Sequence, residues 1–590
     1  MKLLKYIIIL LCCYCTSLHC IASRAYPRCI NVIQSDGSKL TLHRFGDELL
    51  HGFRTTDGII VCADKNQQWC YATISQNNIV PSDIIAHNPE ARTLTESLQA
   101  DLFHKKITRH FQYPIMQKGS FASNSSASVK AKGSPIIPIV LIQFRDVKFL
   151  AECDSLFFDK HFNACNYQQN GYYGSVRDYF IAQSDSIFQP QFRILGVVTL
   201  HGVRKDYGGN IYGNDRNDRG MMQEALDSLL ARNIDFSPYV STNNRIPAIG
   251  FIYAGPGEQA YGPEESIWAK CYTNFSYTFG KHTVEAILCV NESADYDDSG
   301  TERPDGIGTF VHEFSHAMGL PDFYSTDNLP DNFGLDYWDI MDWGQYVEDS
   351  RRPVGYSSYE RIFMGWLQPA TLEVKKQNVE LSPLTGKEGI RAIMIPNEAN
   401  KNEYLLLENR TASTWFSPYY GEGMLVYHVD YSSSAWIANT VNNVATHQRM
   451  SILCADNTPT PYMTYKNKTY VYATKEDYQG DFYPGLTNNT EISDTSTPAA
   501  TAFTGNFFHR SLTNIKHLDN GNITFVYMDD GIEGIRTVIN TQDNQVVTVY
   551  SLNGEQLGKC NIRDIRNRFG KGVYIVKHSH EAKAAKIRIY

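Results

Sequence analysis

The stretch from Gly308 to Asp322, Gly-Thr-Phe-Val-His-Glu-Phe-Ser-His-Ala-Met-Gly-Leu-Pro-Asp, constrains this chain more than any other. Read as a helix that stops at Gly319, it puts His312 and His316 one turn apart on one face, with Glu313 beside them and Asp322 just past the end. Residues i and i+4 are neighbours on a helix, so two neutral imidazoles can bind one small cation without any loop having to order. Gly319 can take the left-handed conformation that ends a helix, and Pro321 cannot continue one. The expected turn brings the Asp322 carboxylate back as a third ligand. Three protein ligands leave a fourth position open for water, which is the catalytic rather than the structural arrangement of zinc.

The pattern is specific. His-Glu-x-x-His alone arises by chance in about one chain in forty of this size and composition, and requiring Gly319 and Asp322 lowers that to roughly one in ten thousand. These odds disfavour the bland alternative, an amphipathic core helix with two satisfied histidines.

At 590 residues, 42% hydrophobic and 20% charged, the chain is long enough for several domains of ordinary soluble composition. A net charge of -9 leaves no basic footprint for nucleic acid, and 37 Tyr with 29 Phe lean the chain toward strands. Lys2 and Lys5 precede an apolar run from Tyr6 to Cys15, and Cys20-Ile21-Ala22 offers small residues for cleavage, so residues 1–22 read as a secretory signal. Nine cysteines remain after it. The near pairs Cys62/Cys70, Cys153/Cys165 and Cys271/Cys289 can each close a short loop in an oxidising compartment.

Residues 23–133 are expected to be a β-rich propeptide and linker. Two Asp-Gly turns, at Asp36 and Asp57, separate strand-like runs, a helix-prone piece follows from Leu94 to His104, and a Ser/Ala/Gly/Lys-rich joint runs from Lys118 to Gly133. Lys118, Lys130 and Lys132 are the expected sites of proteolytic release. An accessory domain on a flexible joint is the alternative. Residues 134–371 alternate buried-strand runs, such as Ile136 to Phe144 and Ala248 to Ala254, with helical spacing at Met222, Ala225, Leu226 and Leu229. That alternation predicts a mixed α/β domain. The acidic loop Asp295-Tyr296-Asp297-Asp298 offers a possible calcium site without an EF-hand pattern; a solvated loop is the simpler reading.

Downstream of the helix stands Tyr337-Trp338-Asp339-Ile340-Met341-Asp342-Trp343-Gly344, where Met341 can form an apolar floor beneath the ligands without coordinating. With His-Glu-Phe-Ser-His-Ala-Met-Gly-Leu-Pro-Asp at 312–322, Trp-Asp-Ile-Met-Asp at 338–342, Gly174 to Phe180, Ile252 to Gly255, Ile267-Trp268 and Gly365-Trp366-Leu367, the chain resembles the immune inhibitor A family of secreted bacterial metallopeptidases, relatives of the metzincins. The resemblance implies His312, His316 and Asp322 as zinc ligands, Glu313 as general base and Met341 as the Met turn. Trp343 stands where several metzincins have a metal-proximal Tyr, which leaves Tyr324, Tyr337 and Tyr346 as candidates for oxyanion support.

Residues 372–528 read as a β-sandwich, with strands at Glu403 to Arg410 and Gly423 to Asp430. His428, His447 and Asp456 suggest a second metal only weakly. After the joint at Asp529-Asp530-Gly531, residues 529–590 form a small Ig-like β-domain by expectation, with a hairpin turning at Asn553-Gly554. It resembles the C-terminal sorting domain of type IX secretion substrates of the Bacteroidetes, which implies the secretion machinery as partner and export through periplasm and outer membrane to the surface or medium. The alternative is a terminal binding module.

The expected architecture is thus multidomain α+β: a metzincin-like α/β zinc peptidase domain flanked by a β-rich propeptide, a β-sandwich and a small C-terminal β-domain. The expected activity is that of a zinc endopeptidase on protein substrates, held latent by a group at the open zinc position, either a thiolate such as Cys29 or a carboxylate such as Asp57. Calcium is a possible second cofactor, and nucleic acid is not an expected partner. The rival readings are a catalytically silent surface adhesin that keeps the fold and a zinc hydrolase acting on something other than peptides.

Overall fold

The computed structural model describes residues 19–47, 51–75, 78–110, 127–210, 214–241, 244–273, 277–297, 299–326, 334–459, 462–464, 469–471, 473–528, 546–551, 554–570, 572–578 and 584–589. The charged and apolar parts of the expected signal, Lys118, the joint at Asp529-Asp530-Gly531 and Asn553 lie outside the described residues. Among the described residues no helix is long and apolar enough to cross a membrane.

The centre of the molecule is a mixed sheet. Strands Gln191–Thr199, Ile136–Gln143, Arg245–Pro256 and His282–Ala294 run parallel, and Lys270–Thr273 pairs antiparallel with His282–Ala294. Side-chain alternation divides the sheet into two faces. Ile137, Ile139 and Leu141 face one core with Phe310 and Phe314 of the metal-motif helix, while Val140 and Ile142 face another with Met222, Ala225 and Leu229 of the helix Asp218–Ala231. Helices Ser155–Asn163 and Val176–Gln183 join the first face, the second of them closed by a Ser175/Asp178 capping box.

A further strand lies on the outer edge. Residues His19–Ala22, the end of the expected signal, pair antiparallel with Lys270–Thr273, in a register that puts Ala22 opposite Lys270. The chain then continues into an antiparallel sheet of six strands in sequential order, from Cys29–Ile33 to Asn78–Ile85, against which the helix Leu94–His110 packs through Ala100. Both Asp-Gly turns fall between strands as expected. This unit rests on the central domain through His51, whose ring stacks on Trp268 at 4.3 Å, and through the buried ion pair of Arg44 with Glu258.

The linker expectation needs correction at its far end. Residues 127–133 are seated on the central domain: the Val129 amide donates to the Ala317 carbonyl, Trp366 donates to the Ala131 carbonyl, and Val129 and Ala131 are buried. The Lys130 and Lys132 side chains are exposed but their backbone is pinned, so the central domain begins before residue 134. Apolar Val129 and Ala131 alternate with the two lysines, and that strand-like pattern overrides the linker-like composition.

Residues 370–528 form a five-stranded and a three-stranded sheet that share one core, with Ile393, Leu405 and Val426 facing Phe525 and Leu512. The other face of the larger sheet, through Leu406, Leu425 and Tyr427, merges into the core of the central domain. The two regions therefore pack as one body. His428 bonds Glu403 and His447 bonds Asp430, and among the described residues the two form no three-ligand cluster with Asp456. The last unit is a four-stranded antiparallel sheet with the helix Ile565–Phe569; among the described residues it has no second sheet. Among the described residues none of the three expected cysteine pairs is closed, although Cys62 and Cys70 face each other across neighbouring strands.

Candidate metal centre and cleft

The helix Gly308–Ala317 is entirely buried. Its first amides are satisfied by Ser350, whose carbonyl and hydroxyl accept from Gly308 and Thr309. Gly308 is required by close approach: a Cβ there would stand 1.9 Å from the Gln345 carbonyl oxygen. The helix stops as its sequence predicts, with Gly319 at φ +99 and the Leu320 amide reaching back to the Ser315 carbonyl.

That stop also aims a ligand. His316 Nδ1 lies 2.8 Å from the Leu320 carbonyl, and His312 Nδ1 lies 2.8 Å from the Ile340 carbonyl in the Met341 turn. A carbonyl only accepts, so both Nδ1 atoms carry the proton and both Nε2 atoms present lone pairs inward. The two Nε2 atoms are 3.2 Å apart, and Asp322 Oδ1 lies 3.3 Å and 3.4 Å from them. Tetrahedral zinc ligands at about 2.0–2.1 Å from the ion stand about 3.3–3.4 Å from one another, so this triangle has the dimensions of three zinc ligands. Asp322 Oδ1 is buried without a hydrogen-bond donor, which a cation would satisfy. Burial alone would raise the Asp322 carboxyl; with no cation bound, protonated His316 and His312 beside it would outweigh burial and hold it at about 2, the place that a metal ion takes over when the rings are neutral. Among the described residues, His312, His316 and Asp322 are the one group of three such side chains able to share a metal ion.

Met341 is fully buried, and its carbonyl accepts from the Phe323 amide next to Asp322. The turn thus braces one histidine through Ile340 and the aspartate's neighbour through Met341. A second brace comes from a part of the chain that spacing does not reveal: Asn439 accepts from the Asp322 amide at 2.7 Å and donates to Asp322 Oδ2 at 2.6 Å.

Glu313 is fully buried and its carboxyl is raised to about 8, chiefly by burial. Its Oε1 accepts from the Ser23 amide at 2.8 Å and the Ser23 hydroxyl at 2.7 Å. The chain from Ser23 to Tyr26 crosses the site in a cradle of aromatic donors. Trp268 holds the Ser23 carbonyl at 2.7 Å, Tyr346 the Arg24 carbonyl at 2.7 Å and Trp343 the Ala25 carbonyl at 3.1 Å. The Arg24 guanidinium reaches Asp342 at 2.9 Å and lies 4.2 Å over the Trp343 ring.

Neither residue expected to mask the metal reaches it. Cys29 Sγ lies 3.6 Å from His43 in the antiparallel sheet, and Asp57 is held by Arg92 in a buried pair reinforced by Thr55. Ser23 lies at Glu313 instead, with Arg24 at Asp342. They escape sequence reasoning because their place depends on a strand pairing with residue 270, far along the chain. Of the three candidate tyrosines, Tyr346 donates its hydroxyl to the Arg24 carbonyl; Tyr324 is buried near Arg24, and Tyr337 packs among Trp343, Tyr420 and Tyr478. In the acidic loop, Asp295 and Asp297 accept from Ser299, Gly300 and Arg303.

In an alignment 289 residues long that takes in 42% of this chain, it is 25% identical to the pre-pro-metalloprotease PrtV of Vibrio cholerae serotype O1, covering 32% of that protein. In an alignment 236 residues long that takes in 35% of the chain, it is 21% identical to immune inhibitor A of Bacillus thuringiensis subsp. alesti, covering 34% of that protein. The chain therefore spans about a third of the length of the curated relatives it matches. Residues 139–367, which carry the three clustered side chains, Glu313 and the Met341 turn, match the family described as immune inhibitor A peptidase M6, catalytic domain.

Proposed function

We propose that this protein is a secreted, zinc-dependent endopeptidase made in a latent form. The observation that carries the reading is the triangle of His312 Nε2, His316 Nε2 and Asp322 Oδ1, sized for zinc, beside a buried carboxylate that an extended chain runs past. The names of the matched relatives, a metalloprotease and immune inhibitor A, support the same class.

His312, His316 and Asp322 would hold zinc, which would supply the Lewis acidity that ionises water near neutral pH and polarises a carbonyl. The rest is the work of the chain itself. Glu313, as the carboxylate, takes the proton from the attacking water and passes it to the departing amine. The position of that amine is marked by the Ser23 amide nitrogen, 2.8 Å from Glu313 Oε1. The edge strand Lys270–Thr273 holds an extended chain by main-chain bonds, as it holds residues His19–Ala22. Tyr346 is the best placed of the tyrosines to support a substrate carbonyl.

Latency follows from the same contacts. Ser23 occupies Oε1 of the base twice over, and residues Ser23 to Tyr26, which remain once the signal is gone, lie across the site beneath Trp268, Tyr346 and Trp343. If the signal is removed after Ala22, Ser23 becomes the first residue of the exported chain, with its amine at Glu313. The small C-terminal sheet, by its resemblance to a sorting domain, is the proposed export address.

The test is hydrolysis of denatured protein by the zinc-loaded chain, with and without chelator, beside Glu313→Ala. Cleavage that survives both treatments excludes the zinc mechanism. Stoichiometric zinc without hydrolysis, even after the N-terminal segment has been displaced, favours the adhesin.

A further inference from the structure

The N-terminal segment lies in the cleft as a substrate would, and it brings a charged side chain with it. Residues His19–Ala22 run antiparallel along the edge strand, the Ser23 nitrogen stands at Glu313, and Trp268, Tyr346 and Trp343 take the next three carbonyls. If the nitrogen at Glu313 is that of the residue just after the cut bond, Arg24 occupies the place of the second residue after it. We infer that Asp342, Trp343 and Tyr324 form a subsite for a guanidinium, so that the substrates are polypeptides with arginine two residues beyond the scissile bond. This rests on the peptidase reading above and adds the side chain that the cleft selects.

The pocket is built for a cation. The Asp342 side chain is fully buried, and its Oδ2 accepts from the Leu335 and Asp336 amides. Its Oδ1 accepts from the Trp343 amide and from Arg24. Among the described residues Arg24 is its one ion-pair partner. The guanidinium lies 4.2 Å from the Trp343 ring and 5.5 Å from that of Tyr324, so aromatic walls flank the carboxylate. When the segment leaves, Asp342 loses its one ion-pair partner among the described residues, and its Oδ1 is left with the Trp343 amide. An arginine from a substrate restores the pair. Lysine fits less well, because a compact ammonium cannot both stack on Trp343 and meet Asp342 in the plane of a fork. An aliphatic side chain leaves the carboxylate unpaired.

The test uses the full chain, zinc-loaded, as wild type and as Arg24→Ala, which touches the segment and not the cleft. Arg24→Ala should hydrolyse denatured protein roughly tenfold faster than wild type, because the segment is held less firmly. Sequencing the new N-termini in the products should find arginine at the second position roughly tenfold above its frequency in the substrates. In parallel, the binding of the peptide Ile-Ala-Ser-Arg-Ala-Tyr to the Arg24→Ala chain should weaken at least tenfold when its arginine is replaced by alanine. Hydrolysis with no basic enrichment at that position overturns the subsite and leaves the peptidase reading intact. No hydrolysis from either chain counts against the peptidase reading, and the peptide comparison then still decides the pocket: equal binding of the two peptides overturns it.

Discussion

Asn439 grips Asp322 through both ends of one amide, donating to its carboxylate at 2.6 Å and accepting from its backbone at 2.7 Å. The two residues are 117 positions apart, and Asn439 belongs to the region that follows the central domain. The contact fixes the carboxylate rotamer that turns Oδ1 toward the two imidazoles. Asn439→Ala should therefore weaken zinc binding about 10–100-fold while leaving His312 and His316 in place. Competition with a chromophoric chelator measures this, and an unchanged affinity would show that the turn after Gly319 suffices alone.

Glu313 is not among the three clustered side chains able to share a metal ion. Glu313→Gln keeps the shape and burial of the side chain but cannot accept a proton, so hydrolysis should fall by about 10²–10⁴-fold with zinc content unchanged. Metal analysis and a peptide-cleavage assay on the same sample separate the two effects. Loss of zinc along with activity would recast Glu313 as a ligand.

Trypsin should not find Lys130 and Lys132 in the native protein. A protease needs several residues of extended, accessible backbone, and here Val129 and Ala131 are buried with their backbone bonded to Ala317 and Trp366. Mass spectrometry of a limited digest should recover 127–133 uncut, and the same digest in urea should cut at both lysines. Native cutting at Lys130 at the rate of an exposed loop would contradict this packing.

His161 should contribute to acid sensitivity. Its ring packs among Phe157, Phe162 and Tyr172, its Nδ1 has no partner, and burial pulls its pKa from near 6.5 down to about 3. The folded state thus refuses a proton that the unfolded chain accepts. The stabilisation from a neutral His161 is complete above its unfolded value and is lost as the pH falls from there toward about 3. Between about pH 7 and about pH 5 the loss from this one group is about 2 kcal/mol. His161→Phe should flatten the acid limb of a plot of melting temperature against pH, and parallel curves for the two proteins would refute the assignment.

The local chemistry of the site was legible in the order of residues. The one-turn spacing of His312 and His316, the stop at Gly319 and the Asp-Gly turns at Asp36 and Asp57 depend on backbone geometry within a few residues. Periodicity likewise marked the strand at Ile136–Gln143 and the helix at Asp218–Ala231. Tertiary structure alone decided what surrounds the site. Which side chain reaches Glu313 depends on a strand pairing between residues 22 and 270, and the grip on Asp322 depends on a loop from the next region. Cys29 and Asp57 had the right chemistry to mask a metal, but His43 and Arg92 claim them first within their own unit. A ligand set spaced along one helix can be read from one dimension. A competitor for the same cleft is selected by packing between distant segments, which composition and spacing do not encode.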